Sequence, residues 1–194
     1  MERTLLCDLC KKYGTDKGHQ DDGGWGYSPF YHNVFRDRRY KVKRVFELGI
    51  CGFRDIPNNV VGASLWVWHD YFPTAEVIGV DVDPKFMLNT GRISSFIADE
   101  TRPETMLGPL RSAGGPYDLI VDDAIHEPHE QIVALQTMIP FLAADGIYAM
   151  EDVCPSKLPN SDLHALIDMM PSNLKIEIIE THKPERLLLI RRDL

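Results

Sequence analysis

The chain has 194 residues, the length of one ordinary domain with its own hydrophobic core. Apolar residues make up 44% and charged residues 26%, which is typical of a folded globular protein and disfavours a disordered one. The net charge of −8 disfavours a nucleic-acid-binding protein, which needs a basic face. No apolar run approaches the roughly 20 residues that cross a bilayer, and the first apolar stretch is too short for a signal peptide. We therefore expect a cytoplasmic protein without a membrane or nucleic-acid partner.

From residue 44 onward, short apolar runs alternate with segments of helical pattern. The apolar runs predict five strands, at 44–49, 76–81, 94–98, 117–121 and 146–150. The segments between and after them predict helices at 62–71, from 84, at 128–142 and at 161–170. Runs without polar alternation are typical of strands covered on both faces. This order predicts a parallel sheet with right-handed crossovers.

The C-terminal part has a different pattern. Two strand-like runs, 175–179 and 186–190, are separated by a short polar segment, THKPE. Adjacent strands without an intervening helix pair antiparallel. The predicted fold is therefore α/β, a mostly parallel seven-stranded sheet with helices on both faces and a C-terminal antiparallel hairpin. Dehydrogenases do not have this hairpin, whereas class I methyltransferases that use S-adenosylmethionine (SAM) do.

Residues 1–43 differ in composition from 44–194, the predicted methyltransferase domain. They are polar and rich in glycine and aromatic residues, which predicts a short helix and an aromatic lid segment over the mouth of the sheet. Cys7 and Cys10 form a C-x-x-C pair, which could be half of a zinc site. Because no second Cys/His pair has a matching spacing, we interpret them as free thiols.

Polar residues end the first three strands, where ligands of open α/β sheets bind. Gly49 lets the backbone approach a ligand, and Glu47 precedes it by two residues. Asp81 can accept both hydroxyls of a ribose, and Asp99 can reach an adenine amino group. The turn after the first strand lacks a G-x-G-x-x-G fingerprint, which favours SAM over a dinucleotide. A Rossmann dehydrogenase is the alternative.

A second set of residues indicates a metal ion. Asp123, Glu151 and Asp152 follow neighbouring strands and offer only oxygen ligands, which suit Mg²⁺. Without a cation these carboxylates would repel one another. His126 lies three residues after Asp123 and is a natural general base for a metal-bound hydroxyl. The alternative is that His126 and His129 merely begin a helix.

Several segments make the chain resemble the metal-dependent sugar O-methyltransferases of antibiotic biosynthesis, the group around the mycinamicin and macrocin enzymes. They are YGTDKG (13–18), ELGICGF (47–53), GASLWVWHDYFP (62–73), VIGVDVDP (77–84), VDDAIHEPHEQ (121–131) and YAMEDV (148–153). The resemblance implies a Rossmann-like class I fold that binds SAM and Mg²⁺ and methylates a sugar hydroxyl.

Site residues follow from the resemblance one by one. Metal ligands fall on Asp123, Glu151 and Asp152, and the catalytic base falls on His126. The resemblance also implies a set of SAM contacts: Thr15, Glu47, Gly49, Phe53, Ser64, Asp81 and Asp99.

The family enzymes carry a large N-terminal region that these 194 residues do not match. The hypothesis that follows is a homo-oligomer in which a neighbouring subunit completes the acceptor pocket.

Three alternatives stay open within this framework. The first is N-methylation of an aminosugar, as in aminoglycosides, for which the negative charge would be favourable. An amine has a free lone pair and needs no metal, so metal dependence distinguishes it from O-methylation. The second is a catechol acceptor. The third is a catalytically silent SAM-binding subunit, which would have no need of the converging carboxylates.

Overall fold

A seven-stranded sheet forms the centre of the structure, a computed structural model that describes residues 1–50, 58–159, 162–163 and 174–192. The strands are β1 (Arg44–Leu48), β2 (Glu76–Asp81), β3 (Ile93–Ile97), β4 (Tyr117–Asp122), β5 (Leu142–Val153), β6 (Leu174–Glu180) and β7 (Arg186–Arg192). Their order across the sheet is β3-β2-β1-β4-β5-β7-β6. The first five are parallel, and β7 runs antiparallel to both β5 and β6. The predicted fold class is confirmed.

Helices pack on both faces of this sheet. Within the described residues they are α1 (Leu5–Tyr13), α2 (Ser28–Phe35), α3 (Ala63–Tyr71), α4 (Pro103–Ser112) and α5 (Pro128–Met138). Alternate strand residues point to opposite faces. Val45 of β1 therefore joins the core beneath α1–α3, and its neighbour Phe46 joins the core beneath α4 and α5.

The N-terminal segment is part of the first of these cores. Helix α1 begins at the cap residue Thr4, whose hydroxyl accepts from the Cys7 amide, and ends at Gly14 with a φ of 69°. A Cβ at Gly14 would collide with the Asn59 backbone, and Asn59 Nδ2 donates to the Gly14 carbonyl at 2.8 Å. These contacts fix the loop that follows, GTDKG, against the start of α3.

Four elements differ from the sequence predictions. Helix α5 ends at Met138 and not at 142, because β5 already begins at Leu142. The helix predicted from residue 84 is wrong, because Pro84–Phe86 forms only a 3₁₀ turn. The chain then turns into β3, where the Ser95 side chain hydrogen-bonds the Leu88 backbone. Helix α4 was not predicted. Strand β5 is longer than expected and includes Glu151 and Asp152.

The helix predicted at 161–170 lies outside the described residues, apart from 162 and 163. Within the described part of the chain, no helix has the length and apolar character needed to cross a membrane.

Candidate active site

The carboxyl ends of β1, β4 and β5 meet at one edge of the sheet, where the strand order changes direction. Gly49 follows β1 with a φ of 78°, and a Cβ there would collide with the Asp123 carbonyl. The Asp123 amide in turn donates to the Leu48 carbonyl at 3.0 Å. The loops after β1 and β4 are therefore in backbone contact, which only glycine allows at this position.

Strand β5 presents two adjacent carboxylates at this edge. In a regular strand Glu151 and Asp152 would point to opposite faces. Here the pairing of β5 with β7 shifts register between Met150 and Val153, and Asp152 has a φ of 53°. Such an irregularity redirects a side chain. As a result, both carboxylates contact side chains of the N-terminal segment.

Asp123, His126 and Asp152 form a compact group whose ligand atoms lie within 4.8 Å of one another. His126 Nε2 is 3.6 Å from Asp152 Oδ2 and 3.9 Å from Asp123 Oδ1. His126, like Asp152, has a positive φ, 57°. Left-handed backbone is unfavourable for residues with a Cβ and concentrates at functional sites. Two of three members of the group therefore hold a strained conformation.

Lys17, from the GTDKG loop, lies buried among the neighbouring carboxylates with 1% of its surface exposed. Its ammonium contacts Asp123 Oδ2, lies 2.7 Å from Glu151 Oε2 and lies 3.5 Å from Glu47 Oε1. Burial alone would lower the pKa of Lys17, but these carboxylates raise it well above its ordinary value. Lys17 is therefore a permanent cation at the junction of three strands.

The sequence interpretation missed Lys17, although it predicted mutual repulsion among the carboxylates. Its signal was present in the same motif as Thr15, where a lysine stands inside an otherwise small and acidic segment. A buried cation beside several carboxylates is the arrangement that reduces their repulsion without a metal.

Two tyrosines of the N-terminal segment bind the carboxylates of β5. Tyr27 donates its hydroxyl to Asp152 Oδ1 and Tyr31 donates to Glu151 Oε1, each at 2.6 Å. Burial, reinforced by the neighbouring carboxylates, raises the pKa of both phenols, so both stay protonated as donors. Glu151 thus has a donor on each oxygen, and each oxygen keeps a second lone pair. Its assignment as a metal ligand stays a prediction.

Proteins of known function align with most of the chain. One is 8-demethyl-8-(2-methoxy-alpha-L-rhamnosyl)-tetracenomycin-C 3'-O-methyltransferase of Streptomyces olivaceus, 31% identical over 155 residues, or 78% of this chain and 37% of the relative. Another is mycinamicin VI 2''-O-methyltransferase of Micromonospora griseorubida, 28% identical over 155 residues, or 79% of this chain and 37% of the relative. The chain is therefore similar, over 78–79% of its length, to sugar O-methyltransferases.

A solved methyltransferase shares the fold. MycE, a methyltransferase of the mycinamycin biosynthetic pathway solved with Mg, S-adenosylhomocysteine (SAH) and mycinamycin VI, superimposes with a TM-score of 0.78 at 23% identity. That alignment covers 98% of this chain and 55% of MycE. The chain spans less than two fifths of the length of the two relatives. No family model matches it.

The predicted SAM residues fall into two groups within this fold. Glu47, Gly49 and Ser64 lie together at the β1 end, where Glu47 is fully buried. Trp68 Nε1 donates to Glu47 at 2.9 Å and Ser64 also hydrogen-bonds it, while burial raises the pKa of Glu47 to about 7. Asp81 ends β2 and accepts the Ile50 and Asp83 amides at 3.1 and 2.9 Å, facing the same loop.

The remaining predicted SAM residues lie further apart. Thr15 lines a cavity of about 350 Å³ between the GTDKG loop and Asn58. Asp99 accepts the Thr101 amide and hydroxyl at 3.0 and 2.6 Å, in the turn that leads to α4. Phe53 lies outside the described residues.

A divalent cation fits beside Asp123 and Asp152 on chemical grounds, with His126 next to both carboxylates. Asp123 Oδ1 and Asp152 Oδ2 both face His126, and their side chains remain 20% and 11% exposed. Burial is the main cause that raises the pKa of Asp123, and the Asp152 charge raises it further, so both carboxylates would gain from a bound cation. Oxygen donors with a nearby imidazole suit Mg²⁺ or Mn²⁺.

Proposed function

We propose that the protein is a SAM-dependent, metal-assisted O-methyltransferase that acts on a sugar hydroxyl of a small natural product. The observation that carries the proposal is the group of Asp123, His126 and Asp152, two of which hold strained backbone beside a permanently charged Lys17. The similarity supports methyl transfer and a glycosylated acceptor of the kind named for the relatives. The carboxylates that converge at this edge of the sheet have no evident use in a protein that only binds SAM.

SAM, when bound, supplies the methyl group. The chain would hold its nucleoside at the ends of β1 and β2, where Asp81 offers two carboxylate oxygens. Gly49 stays a predicted contact, and its missing Cβ makes room for the Asp123 backbone. Ser64 of α3 hydrogen-bonds Glu47 at this position, and Thr15 stays a predicted contact. Methyl transfer is an in-line displacement. Alignment of the methyl donor with the acceptor oxygen therefore provides much of the rate acceleration.

Asp123 and Asp152, with Glu151 as the predicted third carboxylate, would hold a divalent cation next to the acceptor. When bound, that cation lowers the pKa of a coordinated hydroxyl. His126 presents Nε2 toward both aspartates, so this nitrogen is placed to take the hydroxyl proton. His126 Nδ1 is buried and has no hydrogen-bond partner among the described residues, so Nε2 is the nitrogen directed at the site.

The protonation step also separates hydroxyl from amine acceptors. An amine in its neutral form attacks through its own lone pair and needs neither a metal nor a base before transfer. A hydroxyl at neutral pH needs both, which matches an imidazole beside two carboxylates. The geometry therefore favours O-methylation over N-methylation of an aminosugar.

Methyl transfer from labelled SAM tests the proposal with Mg²⁺ or with EDTA. The acceptor panel contains glycosylated polyketides with free sugar hydroxyls, aminoglycosides and catechols. We expect transfer to a sugar hydroxyl that EDTA abolishes. Metal-independent transfer to an aminoglycoside would contradict O-methylation, and methylation of the catechols alone would contradict a sugar acceptor.

Replacement of the base gives the sharpest test of mechanism. His126→Ala should lower kcat roughly a hundredfold or more with the Kd for SAH unchanged, because only proton removal is lost. His129→Ala is the matched control, since His129 lies three residues away with 84% of its side chain exposed. Equal kcat values for His126→Ala and His129→Ala would remove the assignment of His126.

A further inference from the structure

The N-terminal segment holds one oxygen of each aspartate in the proposed metal site. Lys17 binds Asp123 Oδ2, and Tyr27 binds Asp152 Oδ1. The other oxygen of each aspartate, Oδ1 of Asp123 and Oδ2 of Asp152, is the one that faces His126. The N-terminal segment thus holds one oxygen of each carboxylate, and the second oxygen of each faces His126 Nε2.

The contact of Tyr27 with Asp152 is the more specific of the two. Tyr27 is 1% exposed, and its hydroxyl both donates to Asp152 Oδ1 at 2.6 Å and accepts the Asp152 amide at 3.3 Å. One hydroxyl therefore binds the backbone and the side chain of a residue whose φ is 53°. This pair of contacts stabilises a conformation that the chain alone disfavours.

The position of Tyr27 does not depend on its hydroxyl. Its ring stacks on Trp25 with centroids 6.3 Å apart and belongs to the core beneath α1–α3. Trp25 is held in turn by Asp16, which accepts from its Nε1 at 3.1 Å. A phenylalanine at this position would keep the packing and lose only the two hydrogen bonds.

We propose that Tyr27 is a positioning residue that orients Asp152 for binding of the divalent cation, an inference that rests on the proposed function. Groups that hydrogen-bond a metal ligand fix its orientation, and their removal costs roughly 10–100-fold in metal affinity. Tyr27→Phe should therefore weaken metal binding by that factor while SAH binds as in the wild type.

Titration of the SAH complex with Mn²⁺ tests this inference directly, by calorimetry and by the relaxation of water protons. The matched control is Tyr148→Phe, which removes a buried hydroxyl that donates to Asp122 at 2.7 Å, one residue before Asp123. Thermal unfolding of both variants reports their loss of stability. We expect a Kd for Mn²⁺ that rises 10–100-fold in Tyr27→Phe and changes less than about twofold in Tyr148→Phe.

The outcomes separate the inference from the proposed function. If the wild type binds Mn²⁺ and Tyr27→Phe binds it equally well, the inference is wrong and the proposed metal site stands. If Tyr27→Phe and Tyr148→Phe weaken Mn²⁺ binding equally, the loss is a general destabilisation of this edge of the sheet, and the inference is overturned. If the wild type binds SAH but no Mn²⁺, the metal-assisted mechanism and the inference both fall.

Discussion

The two cores on either side of the sheet have different compositions and different relations to the site. The core beneath α1–α3 is rich in aromatic residues, among them Tyr27, Tyr31 and Trp68. The core beneath α4 and α5 is mainly aliphatic, with residues such as Leu110 and Leu135. On the aromatic side, these three rings each donate a hydrogen bond to a carboxylate at the edge of the sheet.

This difference shows how a core can carry part of an active site. Tyrosine and tryptophan bury a large apolar body and keep one polar donor at the tip. On the aromatic face those tips reach Asp152, Glu151 and Glu47. On the aliphatic face Tyr148 donates to Asp122, which is not among the candidate metal ligands, and the leucine and methionine residues have no such donor. Substitutions on the aromatic face should therefore change the site, and substitutions on the aliphatic face should change stability alone.

The largest expected effect on stability comes from Lys17. Lys17→Met removes the cation and leaves buried carboxylates unpaired, which costs about 3–5 kcal/mol of unfolding free energy. A chain of this size should then melt about 6–20 °C lower. Lys12→Met is the control, because Lys12 pairs with Asp70 at the surface with 57% of its side chain exposed, where a pair contributes about 1 kcal/mol or less. Equal melting temperatures for the two variants would contradict the buried cation.

A cavity on the aliphatic face tests the other half of the comparison. Leu110 lies on α4 and is 1% exposed. Leu110→Ala should lower the unfolding free energy by about 2–5 kcal/mol and leave the Kd for SAH and for Mn²⁺ unchanged. Denaturant unfolding and the two titrations measure these quantities. A Kd for Mn²⁺ that rises with the loss of stability would show that both faces support the site.

The smallest effect concerns a surface contact of the aromatic face, between α1 and α3. Burial alone would raise the pKa of Asp70, but hydrogen bonds from Lys12 and Tyr13 help to lower it to about 2. A folded pKa below the unfolded value of about 3.9 stabilises the protein above that pH, and the contribution disappears as the pH falls through 2. After allowance for solvent screening, Asp70→Asn should cost about 1 kcal/mol near pH 7.

Unfolding of wild type and Asp70→Asn across pH 2–7 checks this prediction. The two stabilities should converge toward the acid end, because the protonated carboxyl and the amide are both uncharged. A difference that stays constant with pH would show that the contact is not electrostatic.

Much of the fold could be predicted because apolar runs in the sequence indicate the strands. The apolar run 44–49 ends in Gly and the run 117–121 is followed by Asp122, and the last two runs lack a helix between them. Helix α4 was missed because Gly108 and Pro109 interrupt its pattern, although Pro103 stands at its first turn, a common helix start. The sequence predicts a helix from Pro84 where the structure has a 3₁₀ turn. The hydrogen bonds between the Ser95 side chain and the Leu88 backbone, which lead the chain into β3, cannot be inferred from the local sequence.

The candidate site was predictable in its residue types and not in its pairings. Strand ends alone bring Asp123 and Asp152 to one edge. The backbone irregularity at Asp152 depends on tertiary packing. So does the contact of Lys17 with Asp123, which is 106 positions away in the sequence. No local pattern encodes contacts of that separation, so the internal cation and the tyrosine donors were not predicted.

Calorimetric titration of SAH, followed by Mn²⁺, into wild type and Asp152→Asn tests the central claim most directly. The account predicts that both proteins bind SAH with the same Kd and that the wild type alone then binds one Mn²⁺ tightly. The conservative amide keeps the shape of the side chain and removes its charge. Failure of the wild type to bind SAH would contradict the methyltransferase itself, and equal Mn²⁺ binding by the two proteins would contradict the metal site at Asp152.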